Sequence, residues 1–295
     1  MTVELEGLIT KGIGGFYTAV TEEGRAYTLR AQGKLRRQRL TPMVGDHVRF
    51  QPGAEGEDGW LAAILPRRNG LVRPPVANID AVLMVVAAAS PDPDLLLLDR
   101  MLIAARQAGI TPVVAVNKAD LDPARAEEIA RAYESAAYGA FLVSARSGEG
   151  IEALRAALAG RVHALSGQSG AGKSTLINAL YGLTLVTGQV SRIERGRHTT
   201  RHSELIRLPG GGMVLDTPGF SLLESRLIEP IRLKEFYPEF TSFEGACRFS
   251  PCAHASEPDC AVRAALARGG IDPGRHERYK ELFDEMTKRW KDRYD

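Results

Sequence analysis

Gly167-Gln168-Ser169-Gly170-Ala171-Gly172-Lys173-Ser174 stands between an apolar run, Val162 to Leu165, and a segment with helical patterning, Lys173 to Tyr181. A G-x-x-x-x-G-K-S loop between a strand and a helix commits that part of the chain to a βα unit. The glycines let successive backbone N–H groups turn inward, and the helix start adds its positive end, so a concave anion site results. Residues Gly167, Gln168, Ser169, Gly170, Ala171 and Gly172 would line it. Lys173 would reach the β- and γ-phosphates of a nucleoside triphosphate, Ser174 would put its hydroxyl on Mg²⁺, and Thr175 would donate to the α-phosphate. The loop says nothing about the base.

The surrounding pattern extends this unit into an α/β domain with a mainly parallel sheet. Strands are expected at Ile79–Ala87, Pro112–Val116, Phe141–Val143, Val162–Leu165, Ser203–Leu208 and Met213–Leu215, with helices at Leu95–Gln107, Ala124–Tyr138, Ile151–Leu158 and Lys173–Tyr181. Residues 183–202 carry little regular signal, and a connection that long is usually functional or mobile. Ahead of this domain lie five short β segments, Leu5–Thr10, Phe16–Val20, Ala26–Arg30, His47–Phe50 and Trp60–Ile64, enough for a small barrel. Pro66 to Asn78, broken by prolines and a glycine, reads as a linker without helix or strand. Past Leu223 the strand pattern stops, and a cysteine cluster precedes a helix capped by Asp272 and opened by Pro273. Tyr279, Leu282, Phe283, Met286 and Trp290 share one face of that helix. The expected division is 1–68, 69–224 and 225–295.

Composition limits the class. With 295 residues, 44% hydrophobic and 25% charged, the chain is an ordinary folded one. Its longest apolar run, Ala81 to Ala89, is about half of a membrane span, and Glu4 and Glu6 stand where a signal peptide needs base. A cytoplasmic protein with no membrane partner is expected. The net charge of +2 is uninformative, but Lys34, Arg36, Arg37 and Arg39 form one short run. Up to Arg73 the chain has eleven Lys and Arg against eight Asp and Glu, a net of +3. The run is either an ordinary solvated face or a contact to nucleic acid phosphates.

Asn117-Lys118-Ala119-Asp120 comes straight off the strand Pro112–Val116. A carboxylate there can accept from N1–H and the 2-amino group of guanine, whereas adenine presents a lone pair at N1. Asn117 would hold neighbouring loops together, and the Lys118 stem would lie along the base. Ser144-Ala145-Arg146 fits a second base-side loop, its backbone N–H meeting guanine O6. Asp216-Thr217-Pro218-Gly219 ends another apolar strand; Asp216 would hold Mg²⁺ through water and the Gly219 N–H would meet the γ-phosphate. The order is unusual, since the base reader precedes the phosphate loop, so the domain is circularly permuted relative to GTPases of the Ras type.

Cys247, Cys252, His254 and Cys260 give C-x4-C-x-H-x5-C, four donors suited to a closed tetrahedral Zn²⁺ site. With no open position, such a site would be structural. His47, His163, His202 and His276 fall outside this pattern and read as surface or packing residues.

Together these features resemble the circularly permuted ribosome small-subunit-dependent GTPase A family of bacteria, RsgA. The likeness spans nearly the whole chain and includes Val44-Gly45-Asp46, Arg68-Asn69 and Arg73-Pro74. It implies an oligonucleotide/oligosaccharide-binding (OB) barrel, a permuted P-loop GTPase domain and a C-terminal zinc domain with a terminal helix. It further implies a monomer that binds the small (30S) ribosomal subunit and its rRNA, uses GTP with Mg²⁺, releases GDP, and assists late subunit maturation in a subunit-stimulated manner. Lys34, Arg36, Arg37 and Arg39 would then touch RNA. The resemblance also makes Gly196 to Thr200 a switch, with Thr200 or its neighbour Thr199 on Mg²⁺; Arg201 replaces a third threonine common in the family. Ras-type enzymes orient the attacking water with a glutamine after Asp-x-x-Gly, but here Phe220 follows Gly219, so His198 is the candidate catalytic group. The competing readings are a GTP-gated RNA-binding scaffold with incidental hydrolysis and an ATP-using P-loop enzyme, the latter opposed by Asp120.

Overall fold

The computed structural model describes residues 4–31, 40–54, 57–71, 75–182, 203–209, 211–216 and 226–294. Strands β1 (Leu5–Ile13), β2 (Phe16–Val20), β3 (Ala26–Ala31), β4 (His47–Gln51) and β5 (Gly59–Ile64) form a closed barrel. Its pairing order β1-β2-β3-β5-β4 returns to β1 through Leu5↔Phe50 and its neighbours, and only β3 with β5 is parallel. Alternation decides this: Ile9, Ala19, Leu29, Val48, Phe50 and Leu61 point inward and are fully buried, while the residues between them face outward.

The segment after the barrel differs from the featureless linker its prolines suggest. β6 (Gly70–Leu71) and β7 (Val76–Ala77) pair as a short antiparallel ladder. Around them a polar seam ties the barrel to residues 78–80. Asp46, fully buried, accepts from Arg67 Nε at 2.7 Å and from the Met43 N–H at 2.7 Å. Asn78 donates to the Gly45 carbonyl at 2.8 Å and accepts from the Arg68 N–H at 2.9 Å. Asn69 spans the Ile79 backbone through both its amide atoms. Gly45 has φ +90°, and a Cβ there would stand 2.0 Å from the Ala77 carbonyl oxygen, so only glycine lets the two backbones meet.

Next come β8 (Ala81–Ala87), α1 (Leu95–Gln107), β9 (Thr111–Asn117), α2 (Pro123–Ser135), β10 (Gly139–Leu142), α3 (Ile151–Leu158), β11 (Val162–Gly167), α4 (Lys173–Tyr181), β12 (Glu204–Arg207) and β13 (Met213–Asp216). The sheet order is β10-β9-β8-β11-β13-β12, parallel except for β12 at the edge. Every residue of β8 is buried, as a central strand covered on both faces must be. β12 also meets β1 at Lys11↔Glu204, where the two side chains form an ion pair at 2.8 Å.

The C-terminal part has two 3₁₀ segments, Pro230–Phe236 and Pro238–Phe243, then α5 (Ala261–Ala267), α6 (Pro273–Lys291) and a third 3₁₀ segment, Asp292–Tyr294. Asp272 caps α6 by accepting from the Arg275 N–H at 2.8 Å. Leu233, Tyr237, Phe240, Val262, Tyr279 and Leu282 form its core, against which Ile103 of α1 packs. Among the described residues no helix is long and apolar enough to cross a membrane.

Candidate active site and metal centre

The carboxyl ends of β8, β9, β10 and β11 lie side by side, so the loops that leave them converge at one edge of the sheet, where ligands of open α/β folds bind. Asn117 closes the cluster. Fully buried at the end of β9, it donates through Nδ2 to the Ala171 carbonyl at 2.8 Å, and its Oδ1 accepts from the Ala145 N–H at 3.1 Å. One amide therefore joins the N-K-x-D loop, the phosphate loop and the Ser144 loop, whose residues are 54 and 28 positions away in the chain. Lys118, at φ +60°, donates from Nζ to the Gly170 carbonyl at 2.9 Å and to the Ser90 carbonyl, so its stem runs along the phosphate loop. The Ala119 N–H bonds to Val143 O at 3.1 Å, leaving exposed Asp120 at the rim. Ser144 is buried, and its hydroxyl accepts from the Ser147 N–H at 3.1 Å.

The phosphate loop has the backbone its glycines foretell. Gly167, Gly170 and Gly172 have φ of +147°, +79° and +91°. A Cβ on Gly167 would meet Val85 O at 2.1 Å, and one on Gly172 would meet Asn117 Nδ2 at 2.4 Å. Lys173 folds back on the loop, donating to Gly167 O at 2.7 Å and Gln168 O at 2.9 Å, and burial lowers its pKa. Ser174 is half-buried in the first turn of α4, beside exposed Thr175. The side chain of Asp216 and residues Thr217 to Gly219, His198, Thr199, Thr200, Lys34, Arg36, Arg37 and Arg39 lie outside the described residues.

One loop of this site has no motif to announce it. Residues 88–94, leaving β8, reach the phosphate loop: Gln168 donates to Asp92 O at 2.9 Å and accepts from the Asp94 N–H at 3.3 Å. Its only signal in the sequence is its position after a strand that abuts the phosphate-loop strand. His163, a packing residue, is buried in β11 and bonded to the Tyr181 hydroxyl at 2.9 Å; burial lowers its pKa.

The second cluster lies in the C-terminal part. Ligand atoms of Cys247, Cys252, His254 and Cys260 all fall within 4.8 Å of one another. Cys247 Sγ is 3.9 Å from Cys260 Sγ and 3.6 Å from His254 Nδ1, which is 3.3 Å from Cys260 Sγ. A tetrahedron with metal–sulfur bonds of about 2.3 Å has edges of about 3.8 Å, so the donors fit a single small cation. The chain path around it is fixed from α6: His276 Nε2 bonds to His254 O at 2.8 Å and the Tyr279 hydroxyl donates to Ala253 O. His276, expected only as a surface or packing residue, supports a ligand's backbone from a buried position.

Two comparisons decide the family. The family model described as RsgA GTPase matches residues 64–226, and that described as RsgA N-terminal domain matches residues 6–61. The chain belongs to the RsgA GTPase family. It is therefore a GTP hydrolase with a circularly permuted catalytic domain. A small ribosomal subunit biogenesis GTPase RsgA of Geobacillus thermodenitrificans is 44% identical, with 98% of this chain and 99% of that protein aligned. That of Agathobacter rectalis is 41% identical over 97% of this chain and 100% of its own length. Among solved structures, YjeQ from Thermotoga maritima superposes with a TM-score of 0.84 at 34% identity, covering 97% of this chain and 99% of its own. The circularly permuted GTPase YloQ superposes with a TM-score of 0.80 at 31% identity, covering 97% and 96%.

Proposed function

We propose that this GTPase docks on the small (30S) ribosomal subunit late in its assembly, hydrolyses GTP faster there than alone, and leaves as the GDP form. The observation that carries the reading is the Asn117 lock between base-side and phosphate loops, found in a chain aligned over nearly its full length with small ribosomal subunit biogenesis GTPases. A site whose guanine side and phosphate side move as one suits an enzyme that must distinguish GTP from GDP and report the difference.

The roles follow from chemistry. Asp120 accepts from guanine, Lys118 flanks the base, and the N–H groups near Ser144 and Ala145 meet O6. Ala119 shapes the base loop. The phosphate loop from Gly167 to Thr175 cradles the phosphates, with Gly219 at the γ-phosphate. Ser174, Thr200 and Asp216 would hold Mg²⁺, which supplies charge neutralisation across the β- and γ-oxygens. Zn²⁺ fits the Cys247, Cys252, His254 and Cys260 tetrahedron and would act as a structural staple. Lys34, Arg36, Arg37 and Arg39 would pair with rRNA phosphates. The protein works as a cytoplasmic monomer.

His198 is the group assigned to orient the attacking water, since Phe220 can neither accept a proton nor direct one. Docking on the subunit would place His198 against the attacking water, so stimulation would come from positioning. GTP turnover measured with and without purified small subunits tests the reading. A large increase on adding subunits is expected, and unchanged turnover would favour a GTP-gated scaffold. His198→Ala should keep subunit binding in a non-hydrolysable GTP analogue but lose the stimulation; normal stimulated turnover would remove that role.

A further inference from the structure

One row of side chains on the outside of the barrel is unexplained by folding. The register sets Ile13 of β1 opposite Phe16 of β2, Phe16 opposite Arg30 of β3, Arg30 opposite Trp60 of β5, and Trp60 opposite Gln51 of β4. Phe16 is 43% exposed and Trp60 48%. Leu61 beside Trp60 and Leu29 beside Arg30 are fully buried on the inner face, and Tyr17 beside Phe16 packs against the core, so neither exposed ring is needed to fill it. The Arg30 guanidinium lies 4.7 Å from the Phe16 centroid, and its Nε donates to Asp58 at 2.8 Å. Three flat groups are thus presented to solvent in one line across three strands.

We infer that Phe16, Arg30 and Trp60 form a stacking platform for unpaired RNA bases. The inference rests on the ribosomal reading and names the kind of RNA that the barrel takes. A ring face accepts any base, and a guanidinium plane does the same while adding charge. Closed barrels of this strand order present the face around their second and third strands to oligonucleotides. The charge is complementary. Arg49 is exposed on β4, and in sequence the run Lys34, Arg36, Arg37 and Arg39 follows β3 directly. Asp58 subtracts one charge locally but fixes the guanidinium plane. A second copy of the chain is a poorer occupant, because a self-contact would have to cover a charged Arg30 and Asp58 along with the rings.

The test uses the full chain. Its tryptophans number two, Trp60 and Trp290, so a Trp290→Phe background makes Trp60 the sole reporter. Titration with a single-stranded oligoadenylate of about twelve nucleotides, long enough to span one barrel, should quench Trp60 fluorescence. Trp60→Ala should weaken binding of this oligomer and of purified small subunits by roughly 5- to 150-fold, the range for losing one stacked base. The slope of log affinity against log salt should not change, because stacking releases no counterions. Trp60→Phe should retain most of the affinity, and Phe16→Ala should resemble Trp60→Ala. Basal GTP turnover, equal in all variants, checks the fold. Absent quenching, unchanged affinity in Trp60→Ala and Phe16→Ala, or an effect that appears only as a shallower salt slope would overturn the platform. So would concentration-dependent self-association abolished by Trp60→Ala, which would give the face to a second copy. If wild-type protein ignores small subunits yet oligoadenylate quenches Trp60, the ribosomal reading fails and the platform stands; subunit stimulation without any effect of Trp60 or Phe16 fails the platform alone.

Discussion

Arg275 of α6 donates from Nη1 to Asp99 of α1 across 2.6 Å, and the two side chains are 2% and 1% exposed. The other Asp99 oxygen accepts from Arg278 Nε at 2.6 Å, and the Tyr133 hydroxyl of α2 donates to Asp99 Oδ1 at 2.8 Å. Arg275 Nε also reaches Glu239 at 2.6 Å, and its guanidinium lies 5.0 Å from the Tyr133 ring and 4.9 Å from the Tyr237 ring. Burial, with the Asp99 charge added, raises the Tyr133 pKa well above its ordinary value, so that hydroxyl stays a donor. Two helices of the GTPase sheet and the helix supporting the cysteine cluster therefore share one charge-compensated joint.

Removing Arg275 leaves buried Glu239 without a cation and Asp99 with Arg278 as its remaining cation. Arg275→Met should cost about 3–5 kcal/mol in denaturant unfolding and loosen the C-terminal part from α1. Arg100→Ala, which removes a half-exposed pair with Glu285 at 2.6 Å, should cost about 1 kcal/mol or less. Equal costs would show that the buried cluster contributes no more than a surface pair.

Asp120→Asn should exchange the nucleotide preferred. Guanine offers two donors to the carboxylate, and an amide matches xanthine, whose 2-oxo group accepts. Mispaired groups at a desolvated base cost about 1–3 kcal/mol each, so GTP affinity should fall by tenfold or more and that for xanthosine triphosphate rise. Competition binding with both nucleotides measures this; unaltered GTP affinity would remove Asp120 from the base site.

One metal ion per chain is expected by elemental analysis. Cys260→Ser removes a buried donor whose sulfur lies near both Cys247 and His254, and it should release the metal and destabilise the C-terminal part by several kcal/mol, since site assembly and local folding are linked. Strong chelators should do the same to the unaltered chain. A folded, metal-protected preparation with no bound metal would refute the centre.

What the sequence disclosed and what it withheld divide along the range of the interactions. Helices α1, α3 and α4 have the limits their periodicity predicts, because apolar spacing and the phosphate-loop glycines act within a few residues. The N-K-x-D and phosphate loops were legible as contiguous strings. Arg275 was not: on a helix with an obvious apolar face it passes for a solvated charge, and its partner Asp99 is 176 positions away. The Pro66–Asn78 seam was hidden for a related reason. Prolines and a glycine do interrupt regular structure, but Asn69 and Asn78 satisfy the backbone with side-chain amides instead. The row of Phe16, Arg30 and Trp60 on the barrel emerges only when the register of three strands is known.

The approach of Gly172 to Asn117 ties the base loop to the phosphate loop. Gly172 sits at φ +91°, and a methyl group there would stand 2.4 Å from Asn117 Nδ2, the atom that bonds to Ala171. Gly172→Ala therefore adds left-handed strain of about 1–2 kcal/mol and also pushes the base loop from the phosphate loop. Gly160 separates the two effects, since it has φ +69° but nothing within 4 Å of its would-be Cβ. Gly160→Ala should lose stability by a similar strain and bind GTP normally. Gly172→Ala should lose GTP affinity by a further tenfold or more, the result of disengaging the loops rather than of strain. Asn117→Ala, which deletes the lock with no added bulk, should resemble Gly172→Ala in nucleotide titrations. If Gly172→Ala binds GTP as Gly160→Ala does, the two loops do not act as one unit, and the basis for reading the site as a guanine-nucleotide sensor is lost.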